Sequence, residues 1–258
     1  MKGKNVLVCG STQGIGWASA QQFADKGANV ILVARNEEKL KQNLTLLSQS
    51  GDQKHQYIAA DFSQPLQLQT VIQEWLQKGN SVDVLINNTG GPKGGPIVNA
   101  EVQEFLDAFN QHLICNHILA TAFLPGMKEK GWGRIINVIS TSVKQPLPNL
   151  GVSNTIRGAV ANWSKTLANE VGAFNITVNN VLPGATNTGR LQSIIENKAN
   201  TINESVDAIR DEMAEESPMK RIAEPDEVAN AIVFLASDNA SYINGINIPV
   251  DGGRTKNL

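Results

Sequence analysis

The feature that most constrains the fold is an alternation of short apolar runs with longer amphipathic stretches along the whole chain. The apolar runs are rich in β-branched residues and show little polar alternation. Strands of this kind are typical of a parallel sheet that is buried on both faces, because helical crossovers cover it. Seven runs are predicted to be strands: NVLVCG, NVILVAR, HQYIAADF, VDVLINNT, GRIINVIS, NITVNNVLPG and GINIPVDGG.

The intervening stretches have the length and periodicity of helices. The last of them begins at Pro225, which is favoured at a first helical position and is followed by two acidic residues. The predicted helices are GWASAQQFADKGA, EEKLKQNLTLLSQS, PLQLQTVIQEWLQKG, about residues 99–130, VSNTIRGAVANWSKTLANEVGA and PDEVANAIVFLASDNA. The pattern predicts an α/β fold: a single-domain, Rossmann-type doubly wound parallel sheet with helices on both faces.

Composition narrows the class of function. The chain of 258 residues has no linker-like segment, so one domain over residues 1–258 is predicted. A net charge of −2 with scattered basic residues argues against a nucleic-acid partner. The first apolar run is broken by Gly10, which argues against a signal peptide or membrane span and favours a cytoplasmic protein. Cys9 and Cys115 have neither disulfide-framework nor metal-ligand spacing, so no metal site is predicted.

A glycine-rich loop follows the first predicted strand. In GSTQGIG, Gly10, Gly14 and Gly16 permit a tight turn and a close approach of backbone N–H groups to a pyrophosphate at a helix N-terminus. The same spacing also occurs in a simple strand-to-helix turn. Its position between the first strand and the first helix of a doubly wound sheet favours a dinucleotide.

Several motifs together resemble the short-chain dehydrogenase/reductase family. They are GSTQGIG, NNTG, an asparagine in the long fourth helix, GRIINVIS, VLPG with a threonine beyond it, and NIPVDGG, in the family's order over essentially the whole chain. The resemblance is closest to the 3-oxoacyl-acyl-carrier-protein reductase-like members, notably over PMKRIAEPDEVANAIVFLASDNASYINGINIPVDGG. It implies hydride transfer between a nicotinamide cofactor and a small carbonyl, alcohol or imine substrate.

The end of the second strand bears on the choice of nicotinamide. A carboxylate there would repel a 2′-phosphate, but the chain has Ala34 followed by Arg35, which favours NADP(H) over NAD(H). The alternative for Arg35 is a solvated surface residue at a helix start. Thr89 stands where the family usually has alanine. The residues that the resemblance assigns to the cofactor are Gly10, Ser11, Thr12, Gly14, Ile15, Gly16, Arg35, Asp61, Phe62, Asn87, Asn88, Gly90, Arg157, Pro183, Gly184 and Thr188.

The catalytic positions depart from the family pattern. In the family that the chain resembles, a tyrosine protonates the substrate oxygen, and a nearby lysine lowers the pKa of that tyrosine. A serine binds the same oxygen, and an asparagine on a helix orders a water molecule. Ser140 and Asn116 match the serine and the asparagine, but Ser153 and Arg157 stand where the tyrosine and lysine belong. The alternative for Ser140 is a strand-end hydroxyl that caps a turn. An aliphatic hydroxyl is a far weaker acid than a phenol, and general acid catalysis contributes roughly 10²–10⁴-fold in rate. Arg157 retains the positive charge but has a different geometry.

Other groups are candidates for the missing acid. His112 precedes Asn116 by four residues and has a suitable ordinary pKa, and Lys144 lies on the loop after Ser140. The alternatives are a buried structural histidine and an exposed loop lysine. Ser153 acting with an ordered water is the third candidate.

Two functions remain open from sequence. The first is an NADP(H)-dependent oxidoreductase with an altered site; the second is a catalytically impaired NADP(H)-binding sensor or scaffold. A lid over cofactor and substrate is predicted at about residues 185–223, and its acidic stretch DEMAEES argues against an acidic carrier protein as substrate. A homo-oligomer, dimer or tetramer, is expected from the family.

Overall fold

The computed structural model describes residues 1–257, in which seven parallel strands form one sheet with helices on both faces. The predicted fold class is confirmed. The strands are β1 (Asn5–Cys9), β2 (Asn29–Ala34), β3 (Gln56–Ala59), β4 (Val84–Asn87), β5 (Gly133–Val138), β6 (Ile176–Pro183) and β7 (Asn247–Val250). Their order in the sheet is β3-β2-β1-β4-β5-β6-β7.

The helices occupy the stretches between the strands. They are α1 (Gly14–Asp25), α2 (Glu37–Leu46), α3 (Pro65–Gln77), α4 (Val102–Phe109), α5 (Cys115–Lys130), α6 (Gly151–Val171), α7 (Gly189–Ile202), α8 (Val206–Glu215) and α9 (Pro225–Leu235). The region predicted as one helix over about 99–130 is α4 and α5 joined by a π-helical turn, Asn110–Ile114. Helix α9 begins at Pro225, as predicted, and Glu224 and Glu227 form a capping box.

Each face of the sheet carries its own apolar core, because successive strand residues point to opposite faces. Leu7 and Leu85 pack on one side with Leu119 of α5. Val6 and Val84 pack on the other side with Phe23 of α1. The apolar character of the strands on both faces therefore follows from helices that cover both.

A row of asparagines crosses the carboxyl half of the sheet. The side chain of Asn87 donates to Asn137 (2.8 Å), Asn137 donates to Asn180 (3.0 Å), and Asn180 donates to Asn247 (2.8 Å). Ser164 of α6 joins the row through a 2.8 Å bond to Asn180. These bonds fix the relative positions of β4, β5, β6 and β7 close to the loops that follow β4 and β5.

The strand order reverses at β1, which lies between β2 and β4. In open α/β sheets, a crevice opens at the carboxyl ends of the strands at such a point. The fold therefore places a cleft above β1 and β4.

Candidate functional site

A cavity of about 580 Å³ opens at the carboxyl ends of the strands, at the reversal of strand order. Its walls come from the loops that follow β1 to β6 and from the first two turns of α6 and α7. The structure brings most of the sequence-predicted residues to this cavity: Gly10, Thr12, Gly14, Ile15, Arg35, Asp61, Phe62, Asn88, Gly90, Ser140, Ser153, Arg157, Pro183, Gly184 and Thr188.

Four predicted residues lie beneath the cavity surface. The Ser11 hydroxyl donates to the backbone oxygen of Val33, and Asn87 belongs to the asparagine row. Gly16 is buried in α1 against the glycine-rich loop, and Asn116 is buried in α5, with only 5% of its surface exposed. None of these four residues forms part of the cleft surface.

The glycine-rich loop packs directly against the end of β4. Gly10 has a φ of +60°, and a Cβ placed on it would lie 2.2 Å from the backbone oxygen of Asn88. A Cβ on Gly16 would lie 2.3 Å from the oxygen of Gly10. The Asn88 side chain donates to the oxygen of Cys9 (3.2 Å), which ties the two strand ends together. Only glycine at positions 10 and 16 allows the loop to pack this closely against itself and against the end of β4.

The loop leaves the first turn of α1 facing the cleft. Gln13, which precedes the helix, makes no capping hydrogen bond with its side chain. The first N–H groups of a helix have no partner within it and carry partial positive charge. This end of the cleft therefore has the chemistry of a phosphate site.

Ser140 and Ser153 face the cleft from different elements. Ser140 follows β5, and its Oγ accepts a hydrogen bond from the backbone N–H of Ser142 (3.1 Å). A hydroxyl that accepts one bond can still donate its own proton. Ser153 is half-buried in the first turn of α6. The site thus presents two hydroxyl donors.

Arg157 lines the floor of the cleft and is largely buried, with 7% of its surface exposed. Its guanidinium donates to the backbone oxygen of Val138 (3.2 Å) and to that of Thr89 (3.5 Å), and so spans the ends of β5 and β4. Burial, and secondly the charge of Arg190, lower the pKa of Arg157 to about 10. The side chain still carries a positive charge at neutral pH.

His112 lies outside the cleft surface and is almost fully buried. Its Nδ1 is 2.6 Å from the Thr89 hydroxyl, and its Nε2 has no partner within residues 1–257. Burial, followed by the charges of Arg157 and Arg190, lowers the pKa of His112 to about 2. His112 is therefore a neutral structural residue that positions Thr89. Lys144 is exposed and also lies outside the cleft.

Because the pKa of His112 is lowered on folding from 6.5 to about 2, protonation favours the unfolded chain. The stability that this group contributes is present above pH 6.5 and is lost as the pH falls below it. Between about pH 7.5 and 5.5, the free energy of unfolding should fall by about 1.4 kcal/mol through this group. Denaturant titrations of wild type and His112→Asn at both pH values measure it. His117→Asn, at an exposed position, is the control, and its free energy of unfolding should keep the wild-type pH dependence. The prediction would be contradicted if the free energy of unfolding of His112→Asn also kept that dependence.

The sequence did not indicate several residues of the cleft, of which Arg190 is the most important. It lies in the first turn of α7 and donates a hydrogen bond to the backbone oxygen of Pro92. It follows Thr188 by two residues, but only the direction of α7 reveals that its side chain reaches the loop after β4. Ala34 and Thr89, which the sequence places at the ends of β2 and β4, line the cleft as well. The lining residues that the sequence did not indicate are, besides Arg190, Gln13, Ala60, Ser63, Gly91, Gln111, Val138, Ile139, Leu150, Thr186, Leu191 and Ile194.

Helices α7 and α8 form a small unit of their own above the cleft. Ile195, Ala199 and Ile209 are its buried core, and Lys198 pairs with Glu212 at 2.7 Å. Leu191, on the same helix as Ile195, lines the cavity. The segment between β6 and α9 therefore builds one wall of the site.

Within residues 1–257, no helix is long and apolar enough to cross a membrane. The same part of the chain contains no group of three histidine, cysteine or acidic side chains placed to hold a metal ion. Cys9 and Cys115 are both buried free thiols, and burial raises the pKa of each.

Comparison with known proteins identifies the class. Residues 10–255 match a family model described as enoyl-(acyl carrier protein) reductase. The uncharacterized oxidoreductase YvrD of Bacillus subtilis (strain 168) is 36% identical, over 100% of this chain and 98% of the relative. The 3-oxoacyl-[acyl-carrier-protein] reductase FabG of Haemophilus influenzae (strain ATCC 51907 / DSM 11121 / KW20 / Rd) is 32% identical, over 98% of each chain.

Among solved structures, L-sorbose reductase from Gluconobacter frateurii, complexed with NADPH and L-sorbose, superposes with a TM-score of 0.93. It is 32% identical and covers 100% of this chain and 98% of its own. A doubly wound sheet with a glycine-rich loop defines a dinucleotide-binding class of protein. Within that class, the chain belongs to the short-chain dehydrogenase/reductase family, whose members support its assignment as an NAD(P)-dependent oxidoreductase.

Proposed function

We propose that this protein is an NADP(H)-dependent reductase of small carbonyl or imine compounds, working through an altered site of Ser140, Ser153 and Arg157. One observation carries the proposal: these three residues line the same cavity as the glycine-rich loop. The NADPH complex of L-sorbose reductase, a structural relative, supports the choice of cofactor.

The residues of the cleft fit a nicotinamide dinucleotide. The close contact of Gly10 with the end of β4 and the free first turn of α1 make a cradle for the pyrophosphate. A Cβ on Gly10 would collide with Asn88 and displace the loop that forms this cradle. Asp61 and Phe62 line the adenine end, although Asp61 also accepts a bond from the Ser63 N–H as a strand-end turn. Arg35 lines the cleft after β2, where no carboxylate opposes a 2′-phosphate.

The chain's own residues account for the rest of the reaction. A bound nicotinamide cofactor supplies the hydride. The Ser140 and Ser153 hydroxyls donate hydrogen bonds to the substrate oxygen, and the positive charge of Arg157 below them stabilises the negative charge that develops there. Since neither hydroxyl is acidic at neutral pH, the proton comes from water through Ser153, and the rate should lie below that of an enzyme with a tyrosine acid.

Replacement of Arg35 should weaken NADPH binding selectively. In Arg35→Gln, the loss of one charge-assisted contact should raise the Kd for NADPH by about tenfold and leave the Kd for NADH unchanged. Cofactor fluorescence titrations measure both. Lys39→Gln removes the same charge from an exposed position of α2 outside the cleft and serves as the control. An unchanged ratio of the two Kd values in Arg35→Gln would contradict the role.

The segment 185–223 is proposed to close over the bound substrate as a lid, supported by the contact of α7 with the cavity. A cytoplasmic homo-oligomer, dimer or tetramer, is also proposed. The apolar side chains of Phe234 in α9, 45% exposed, and of Tyr242 in the turn before β7, fully exposed, support an assembly through this part of the surface.

A second function is favoured by the substitutions themselves. Because Ser153 and Arg157 replace the acid and its partner, the chain is also a candidate NADP(H)-binding sensor or scaffold that has lost turnover.

The experiment that distinguishes the reductase from the sensor is NADPH and NADH oxidation over a panel of ketones, aldehydes and imines. Wild type is compared with the double variant Ser153→Tyr/Arg157→Lys. Turnover by wild type supports the reductase. Turnover by the double variant alone supports the sensor.

A further inference from the structure

Two guanidinium groups face the cleft without a carboxylate partner. Arg157 comes from α6 and Arg190 from the first turn of α7, and both line the cavity. Within residues 1–257, neither forms an ion pair. Their hydrogen bonds go to the backbone oxygens of Val138, Thr89 and Pro92. A buried cation normally gains a charged partner, so the lack of one at Arg157 needs an explanation. Arg190 is exposed at the mouth of the cleft, where its remaining donors are open to a ligand.

The two side chains converge on Gly91. A Cβ placed on this glycine would lie 3.7 Å from Nη2 of Arg190 and 3.9 Å from Nη2 of Arg157. Because glycine has no side chain, that point is open and within reach of both cations. Each guanidinium has five N–H donors, of which the backbone oxygens use only one or two. Donors therefore remain for a ligand beside Gly91.

The other charged groups of the cleft, Arg35 and Asp61, lie at the same edge of the sheet but on the opposite side of β1 from Arg157. Arg35 follows β2 and Asp61 follows β3, on the far side of β1. Ser140 follows β5 and Arg157 is bonded to the end of the same strand. Within the described residues, the half of the cavity that holds the serines therefore has two cations and no carboxylate.

We infer that the substrate of this site is a carbonyl compound that carries an oxyanion, a carboxylate or a phosphate ester, bound by Arg157 and Arg190 beside Gly91. This inference rests on the proposed reductase function. Planar guanidinium groups match the geometry of such oxyanions in bidentate hydrogen bonds. A bound anion would also relieve the repulsion between the two cations, which contributes to the lowered pKa of Arg157.

The alternative recipient of these donors is the cofactor, through its diphosphate or through the nicotinamide ribose, to which the family resemblance assigns Arg157. The free first turn of α1 and the glycine-rich loop already supply donors for it on the β1 side of the cleft. A second pair of cations beside Gly91 is therefore assigned to the substrate, and the experiment treats the cofactor as a competing outcome.

The test is calorimetric titration of matched probes, with and without saturating NADP⁺, so that no hydride is transferred. The pairs are 2-oxobutanoate with 2-oxobutanamide, and dihydroxyacetone phosphate with dihydroxyacetone. At least one anion should bind to wild type about 10- to 100-fold more tightly than its neutral partner. The pair of probes that shows this preference identifies whether the site binds a carboxylate or a phosphate ester.

Arg190→Gln should reduce the ratio of the two affinities to near unity. Arg210→Gln alters a lid arginine that bonds Gln192 outside the cavity, and it should retain the preference.

Three results would overturn the inference: no anion binds better than its neutral partner, Arg190→Gln retains the preference, or Arg190→Gln weakens NADP⁺ binding by the same factor. The last result would assign Arg190 to the cofactor. Reduction of neutral carbonyls without an anion preference would overturn only this inference. An anion preference in a protein that transfers no hydride would overturn only the reductase function.

Discussion

Replacement of Ser140 by alanine is expected to lower kcat/KM for carbonyl reduction by about 10²- to 10³-fold, the usual effect of removing one donor to a developing oxyanion. The Ser140 hydroxyl accepts a bond from the Ser142 N–H and faces the cleft, so its proton is free for the substrate. The Kd for NADPH should not change, because the glycine-rich loop is untouched. Initial rates and fluorescence titrations measure the two effects separately.

Ser142→Ala is the matched control for this prediction. The Ser142 hydroxyl is buried, has no partner within residues 1–257 and lies outside the cleft. Its removal should leave kcat/KM unchanged and should not lower the free energy of unfolding, because an unpaired buried hydroxyl is itself unfavourable. An equal loss of activity in both variants would show that the turn at 140–143 matters and that the Ser140 hydroxyl does not.

Gly10→Ala is expected to abolish NADPH binding and to lower the free energy of unfolding by about 3 kcal/mol. The left-handed φ of +60° disfavours any side chain, and the new Cβ would lie 2.2 Å from the backbone oxygen of Asn88. The ends of β1 and β4 would have to separate, which removes the cradle at the phosphate loop. Denaturant unfolding and cofactor titration measure the two consequences.

Gly131→Ala separates the two causes. Gly131 has nearly the same φ, +59°, but a Cβ there would meet nothing within 4 Å. This variant should lose only the conformational contribution of about 1–2 kcal/mol and should bind NADPH normally. Normal NADPH binding by Gly10→Ala would show that the close contact between the loop and β4 is not part of the cofactor site.

The fold was predictable because its determinants are local and repeated. Apolar runs such as NVILVAR, which is β2 in the structure, identify strands covered on both faces, and Pro225 with the acidic residues after it marks the start of α9. The carboxyl-edge rule for parallel sheets predicted a ligand site at the glycine-rich loop. The family resemblance identified Ser140, whose position after β5 agrees with the same rule, and both features line the cleft.

The remaining features depend on contacts between distant segments. Arg190 reaches Pro92, 98 positions away, and Asn180 bonds Asn247, 67 positions away. The burial that makes His112 a neutral partner of Thr89 likewise arises only when α5 and the preceding π-helical turn pack on the sheet. No local pattern encodes such meetings, so sequence reasoning missed the pair of cations and left His112 as a candidate acid.

The most direct test of the central claim is transfer of deuterium from NADPH labelled at C4 of the nicotinamide to a carbonyl substrate, analysed by mass spectrometry. Wild type is compared with Ser140→Ala over the substrate panel. Label in the alcohol product from wild type, with about 10²- to 10³-fold less from Ser140→Ala, is the result predicted by an altered but working reductase site. NADPH bound by wild type with no label in any product would contradict that account and leave the sensor function.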